Sequence, residues 1–390
     1  MNVLHVVHSA DPNGGGVIEA ILQFVRGQLD IGVNAEIASL DCPDDCFIKE
    51  PGITHYAIGS GGGYGKSETV DNWLNDNISN YDGIIVHGLW QHHGVAVRKY
   101  ALRYNVPYFV FTHGMLDPWF RKKYPLKHLK KQVYWLLFGG NVLKDAKNVC
   151  FTCEEEKRLA EGSFYPYQCK PAIVHLGLKE LDQDTNGVKK CFYEEYPDLE
   201  NEKLILFLGR IHEKKGVDHL LKAFAQLKSE GMTDGYKLVM AGPPSSEEYL
   251  QELKGFVSEN DIEDEVVWTG MLTGDRKWGA ICAADVFVLP SHQENFGIAV
   301  AEALMNSVPV LISDKVNIWR EIKESGAGIV GTDDLDGTTQ MLKQWMCLDP
   351  SVKLEMRQNA KQCFEGKFQI SKAVSHLNEV LGTSQEYRLV

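Results

Sequence analysis

The chain contains no run of 18 or more apolar residues, so it offers no segment that could cross a bilayer as a helix. Its first residues, Met-Asn-Val-Leu-His-Val-Val-His, have no basic n-region, and no signal peptide is expected. Positive charge is scarce. Forty Lys and Arg stand against 53 Asp and Glu, for a net charge of −13, which argues against general nucleic-acid binding. The nine cysteines form close pairs only at Cys42/Cys46 and Cys150/Cys153, with no second pair at the spacing of a zinc site. Buried reduced thiols and a cytoplasmic protein are therefore expected.

Three phosphate- and metal-binding signatures are also missing. The loop Asp11-Pro12-Asn13-Gly14-Gly15-Gly16 lies between an apolar run and an amphipathic segment. Glu19 stands where a dinucleotide fingerprint needs its last glycine, and no Gly-Lys-Ser/Thr follows. Asp-x-Asp occurs at Asp182-Gln183-Asp184, in a polar stretch, and at Asp334-Leu335-Asp336, at the start of a late helical pattern. Neither follows an apolar strand, so a metal held at a strand tip is not expected. No cofactor is expected either.

What is present is alternation. Apolar runs at Val3–Val7, Ala35–Leu40, Ile84–Val86, Tyr108–Phe111 and Asn148–Phe151 are separated by helical patterns. A second series begins at Lys203–Leu208 and continues through Lys237–Ala241, Val266–Thr269 and Asp285–Pro290. This predicts an α/β protein of doubly wound sheets with ligands at the strands' C-terminal ends. A length of 390 residues suits two or three domains. Residues 179–202 are polar without clear periodicity, and the linker is placed there.

The densest signal is Ser291–Asp314, SHQENFGIAVAEALMNSVPVLISD. It reads as the turn, helix and second strand of a βαβ unit. Backbone N–H groups at the start of the helix Ile298–Met305 suit a phosphate. Glu294 precedes the turn Asn295-Phe296-Gly297. Glu302 sits in the otherwise apolar Ala299–Leu304, where a carboxylate is costly without a partner. Upstream, Gly209-Arg210 and Lys215-Gly216 flank a strand-to-helix turn, and both cations can point at one anion. Lys214 is an alternative to Lys215. His113, followed by Gly114, lies at the tip of the Tyr108–Phe111 strand.

Glu294-x7-Glu302 with the interposed Phe-Gly, together with Gly-Arg…Lys-Gly, resembles the donor-site signature of family 4 (group 1) retaining glycosyltransferases. His113-Gly114-Met115-Leu116-Asp117-Pro118-Trp119 resembles a segment of bacterial exopolysaccharide and cell-envelope polysaccharide enzymes of that family. The resemblance implies the GT-B fold: two Rossmann-like domains facing a central cleft, with a C-terminal helix crossing back to the first. It divides the chain into an acceptor domain, 1–180, a linker, 181–202, a donor domain, 203–368, and a returning helix, 369–390.

The implied reaction is metal-independent, retaining transfer of a hexose from a nucleotide sugar to a saccharide or lipid-linked saccharide. UDP-glucose is the leading donor. Arg210 and Lys215 would neutralise the diphosphate with the helix start at Asn295, Phe296, Gly297 and Ile298. Glu302 would hold ribose, and Glu294 would orient the sugar. His113 would contact the transferred sugar. Met271 and Leu272 would hold the base, Gly14, Gly15 and Gly16 would lie opposite the diphosphate, and Asp117 and Trp119 would meet the acceptor. His175-Leu176 departs from the family's Asn-Gly at the crossing, and its role stays open. A GT-B epimerase, a nicotinamide oxidoreductase and a non-catalytic sugar-nucleotide-binding subunit are the competing readings.

One stretch is basic and aromatic in an acidic chain: residues 119–138, WFRKKYPLKHLKKQVYWLLF. It fits either a helix at an anionic membrane surface or a solvated basic face over a core-facing aromatic stripe. The first reading makes the protein peripheral at the inner face of the cell membrane. Gly61–Gly65 has no assigned role.

Overall fold

The computed structural model describes residues 1–382 apart from 13–15, 46, 60–61, 120, 122–123 and 181–183. The chain forms two compact units. Met1–Lys179 joins the segment from Gln369 onward in the first, and Glu180–Phe368 is the second.

The first unit is a seven-stranded parallel sheet of order β3-β2-β1-β4-β5-β6-β7. Its strands are β1 (Asn2–Val7), β2 (Asn34–Ser39), β3 (Thr54–Ala57), β4 (Gly83–His87), β5 (Tyr108–Phe111), β6 (Asn148–Phe151) and β7 (Pro171–Ile173). Strand order reverses between β1 and β4, so a crevice opens there beyond their carboxyl ends. β4 and β5 are buried along their whole length. That is why they read as continuous apolar runs and not as alternation. The helix Ile370–Leu381 belongs to this unit and packs on the helix Gly16–Asp30. Gly27 makes the approach possible, since a Cβ there would stand 2.6 Å from Val374 Cγ2. The returning chain pairs Gln369 with Leu178. A Cβ on Gly177 would lie 2.6 Å from Ile370 Cα, so this crossing needs glycine for close backbone contact.

The second unit is a six-stranded parallel sheet of order β10-β9-β8-β11-β12-β13. It comprises β8 (Lys203–Leu208), β9 (Tyr236–Ala241), β10 (Val266–Gly270), β11 (Val286–Leu289), β12 (Val310–Ser313) and β13 (Gly328–Gly331). Its switch point lies between β8 and β11.

The expected linker is corrected. Within 181–202, Thr185–Glu195 is a helix capped by Asp184, whose carboxylate accepts from Asn186 N at 3.1 Å. Its buried Val188 and Phe192 pack on the helix Gly274–Ala283 at Gly279, where a Cβ would meet Val188 O at 2.2 Å. Its apolar stripe is short, an i, i+4 pair, and so gives almost no periodic signal.

Candidate active site

In the second unit, the loops after β8 and β11 lie at the switch point. β8 runs into Gly209 and Arg210, then a 3-10 turn, Glu213–Lys215. Gly216 ends that turn at φ 66°, and a Cβ there would stand 2.1 Å from Pro290 O, at the end of β11. This contact brings the two loops together, and His292 N donates to Lys214 O at 2.9 Å. Glu294 is fixed by its backbone: its N donates to Lys315 O at 2.9 Å and its O accepts from Asn317 N at 3.0 Å. Its carboxylate forms an ion pair with Lys215. The structure thus joins two residues that the sequence marks separately. Arg210 is exposed and has no ion pair among the described residues.

Gly297 caps the helix Ile298–Met305 at φ 75°, a conformation that costs other residues energy. The first N–H groups of such a helix have no intrahelical partner. Phe296 is buried and stacks edge-on against Phe368, centroids 5.5 Å apart. Its side chain therefore packs the core, and only its backbone can face a ligand. Asn295 Oδ1 accepts from Asn317 Nδ2 at 3.4 Å. Glu302 is 8% exposed and pairs with Lys277 Nζ at 2.5 Å. Lys277 is the partner that a carboxylate in an apolar helix requires, and it comes from another helix, Gly274–Ala283, out of reach of local sequence reasoning. Met271 is 70% exposed, whereas Leu272 is buried at 7%. Gly270, at φ 66°, accepts from Gly242 N at 2.7 Å and holds their loop.

One acid of each Asp-x-Asp pair has a structural use, and Asp182 lies outside the described residues. Asp184 and Asp334 each cap a helix, the latter by accepting from Gly337 N at 2.7 Å. One group among the described residues has a metal donor set: Asp218, His219 and His292. Lys222 already pairs with Asp218 at 3.0 Å, and Asp333 bonds His292 Nδ1 at 2.5 Å.

In the first unit, His113 stands just after β5 in a left-handed conformation, φ 48°. It ends a chain of buried rings. Gln28 Oε1 lies 2.8 Å from His5 Nε2, His5 Nδ1 is 3.0 Å from His87 Nε2, and His87 Nδ1 is 2.9 Å from His113 Nε2. An amide oxygen only accepts, so each ring donates from Nε2 and accepts at Nδ1. The chain therefore leaves His113 with an unprotonated Nδ1 at its open end. Burial holds His5, His93 and His113 down to about 4. His87 is lowered as well, first by burial and then by its neighbours His113, His5 and His93. His113 is thus neutral at physiological pH.

Glu156 fixes the loop. Its buried carboxylate accepts from Thr112 Oγ1 and Gly114 N, both at 2.6 Å, and from Thr152 N and Oγ1, both at 2.7 Å. It clamps the ends of β5 and β6 together on both sides of His113. In the sequence it stands undistinguished beside Glu154 and Glu155. The signal was there: Cys153 caps the helix Glu154–Ala160 by accepting from Glu156 N, and Cys153-x-x-Glu156 has capping-box spacing. His175 Nδ1 donates to Thr152 O at 2.8 Å, which gives it a structural role. Asp117 Oδ1 accepts from Trp119 N at 2.8 Å. Gly16 begins its helix, while Gly14 and Gly15 lie outside the described residues.

Residues 193–362 match the family model described as Glycosyl transferases group 1. That match lies within the second unit. Both loops at its switch point fall inside that segment. The chain is 33% identical over 163 residues, 41% of its length and 40% of the relative's, to an uncharacterized glycosyltransferase of Methanocaldococcus jannaschii. It is 27% identical over 243 residues, 62% of its length and 52% of the relative's, to the alpha-monoglucosyldiacylglycerol synthase of Streptococcus pneumoniae. It thus spans about half or less of these relatives' own length. Among solved structures it is similar to HepE of Anabaena in complex with UDP and glucose, with a TM-score of 0.77 at 15% identity over 98% of this chain and 100% of that one. That likeness covers the group 1 segment and the first unit alike, and the fold is GT-B.

Proposed function

We propose that the chain is a glycosyltransferase that moves a sugar from a nucleotide sugar to an acceptor hydroxyl. The observation that carries this is the pairing of the Arg210–Gly216 and Ser291–Gly297 loops at one switch point, inside the group 1 segment. Transfer needs charge that stabilises the departing diphosphate. Arg210, Lys215 and the helix start at Gly297 supply it in this reading. Glu294, released by Lys215 as that lysine turns to phosphate, orients the donor sugar. Glu302, held by Lys277, accepts from ribose hydroxyls. The backbone around Met271 and Leu272 receives the base. His113 presents Nδ1 as an acceptor to a hydroxyl of the transferred sugar, and Asp117 and Trp119 lie on the acceptor side.

In this reading Arg210, Lys215 and the helix start do what a metal would otherwise do, so we read the transfer as metal-independent. We further read the reaction as retaining and the donor as UDP-linked, with glucose first; HepE's complex with UDP and glucose supports that choice. Thermal shift against a panel of nucleotide sugars tests the donor, because a ligand that binds only the folded chain raises its melting point. Arg210→Ala and Lys215→Ala should each lower turnover about 10²–10³-fold, the range for losing one preorganised charge partner. Unchanged turnover, or its abolition by EDTA, sinks the proposal.

The acceptor is read as a saccharide or lipid-linked saccharide of polysaccharide synthesis, met at a membrane surface. No helix among the described residues is long and apolar enough to cross a membrane. Instead, the helix Pro125–Tyr134 and the turn after it leave Leu126, Leu129, Val133, Leu136, Leu137 and Phe138 exposed. Residues 119–144 contain no acid. Apolar side chains flanked by basic ones suit an anionic interface. Flotation with anionic liposomes should recover the chain, and charge reversal of Lys122, Lys123, Lys130 and Lys131 should release it.

A further inference from the structure

The helix Pro125–Tyr134 has two faces. Leu126, Leu129 and Val133 point outward and are exposed. Tyr124, Lys127, His128 and Lys131, at i, i+3, i+4 and i+7, instead line a pocket of the first unit. Spacing of that kind puts side chains on one stripe. The opposite wall comes from the loop after β5, through Met115, Asp117 and Arg121, with Ser163 and Phe164 below. The pocket therefore abuts the loop that carries His113. Its volume is about 60 Å³, several times the about 10–15 Å³ that one water requires and suited to a compact polyatomic group.

Its charge is unbalanced. Among the described lining residues, Arg121, Lys127 and Lys131 stand against one carboxylate, Asp117, in a chain of net charge −13. Arg121 and Lys127 form no ion pair among the described residues, and Lys131 lies over the Trp90 ring at 4.3 Å. The crowding has consequences. Burial and then Lys127 lower the Lys131 ammonium. Burial, then Arg121 and Lys131, lower His128. Cations gathered at such a cost are relieved by an anion, and a guanidinium with two ammonium groups matches the oxygens of a phosphate.

We propose that this pocket binds a phosphate ester carried by the acceptor, so that the acceptor is a phosphorylated or diphosphate-linked molecule anchored beside His113. This rests on the glycosyltransferase reading for the word acceptor, but the site itself does not.

The test reads binding, not turnover. Inorganic pyrophosphate is titrated by calorimetry into the full chain carrying Arg210→Ala and Lys215→Ala, which removes the proposed donor-side phosphate site. Binding should persist there. It should weaken at least tenfold on adding Arg121→Gln with Lys131→Gln, and less than twofold on adding Lys130→Gln, which removes a charge on the same helix without touching the pocket. No binding in the first background, or equal weakening by Lys130→Gln, overturns the proposal.

Two competitors distinguish the source of the phosphate. Displacement of pyrophosphate by a hexose phosphate identifies a free ester, and displacement by phosphatidylglycerol vesicles alone identifies a lipid headgroup; displacement by neither overturns the proposal. Should the variants fail to fold, acetylation of Lys131 in the unaltered chain, read by mass spectrometry, answers the same question. Pyrophosphate should slow it several-fold while Lys130 reacts unchanged, and no protection overturns the proposal.

Discussion

The two units bring polar side chains to the same place, the carboxyl edge of a parallel sheet at its switch point, and satisfy them by opposite means. Along the line of rings that ends at His113, the first uses neutral groups in series. Gln28, His5, His87 and His113 form one hydrogen-bonded chain, buried up to His87, that comes out at the half-buried His113 with its Nδ1 open. The second uses charges in pairs, Lys215 with Glu294 and Lys277 with Glu302, each pair partly exposed. A neutral chain cannot exchange partners without leaving a buried donor unpaired. A partly exposed ion pair can, because water and ligand compete for both halves. The difference assigns fixed recognition to the first unit and ligand-exchangeable charge to the second.

The largest effect should follow from breaking the clamp on the rigid side. Glu156→Ala removes an acceptor of four hydrogen bonds and strands the Thr112 hydroxyl, Gly114 N–H and both Thr152 donors. Loss of such a buried charged network should cost about 3–5 kcal/mol in urea denaturation. A loss under about 1 kcal/mol would show that the ends of β5 and β6 hold His113 by packing alone.

Acid probes the same side. His5, His93 and His113 titrate near 4 in the folded chain, below their ordinary 6.5. The unfolded chain therefore binds more protons between those values. Their contribution is fully present above pH 6.5 and is lost as pH falls toward 4. For one ring the loss is about 3 kcal/mol. Denaturation midpoints measured from pH 7 down to 4.5 should fall steadily, and a flat profile breaks the neutral-relay description.

Gln28→Met is smaller and more specific. It removes the oxygen that sets the direction of every proton in the chain. The His5 Nε2–H would lose its acceptor at about 1–3 kcal/mol, unless all three rings shift their protons to Nδ1. Nitrogen-15 shifts of His113 should report the Nε2–H form in the unaltered chain and an Nδ1–H population in the variant. An unchanged tautomer would place the control of His113 elsewhere.

How much of this was legible follows from where each partner lies in the chain. The inner strands and the Ser291–Asp314 unit were readable because their signals are local: buried parallel strands are continuous apolar runs, and Gly297 precedes a helix in the pattern itself; the edge strands β3 and β13, only partly buried, were not read. The cost of Glu302 in an apolar helix was also readable, but its partner Lys277 was not, being 25 residues away on a helix of mixed composition. The role of His5 inside the apolar run Val3–Val7 was not readable, because its partners lie 23 and 82 residues distant. The helix Thr185–Glu195 was hidden by its polar surface, and it formed because Gly279 leaves room for Val188 and Phe192.

The smallest effect tests the exchangeable side. Lys215 and Glu294 are 23% and 21% exposed, so a double-mutant cycle with Lys215→Ala and Glu294→Ala should give a coupling of at most about 1 kcal/mol. Its dependence on ligand carries the information. With a saturating nucleotide sugar, Lys215 should leave Glu294 for the diphosphate, and the coupling measured by denaturation should shrink toward zero. Glu294→Gln alone should then lower turnover while leaving donor-free stability nearly unchanged. A coupling that persists at full strength in the bound chain would mean that Lys215 stays with Glu294. The diphosphate would then be met by Arg210 with Lys214, and the second unit would be as fixed as the first.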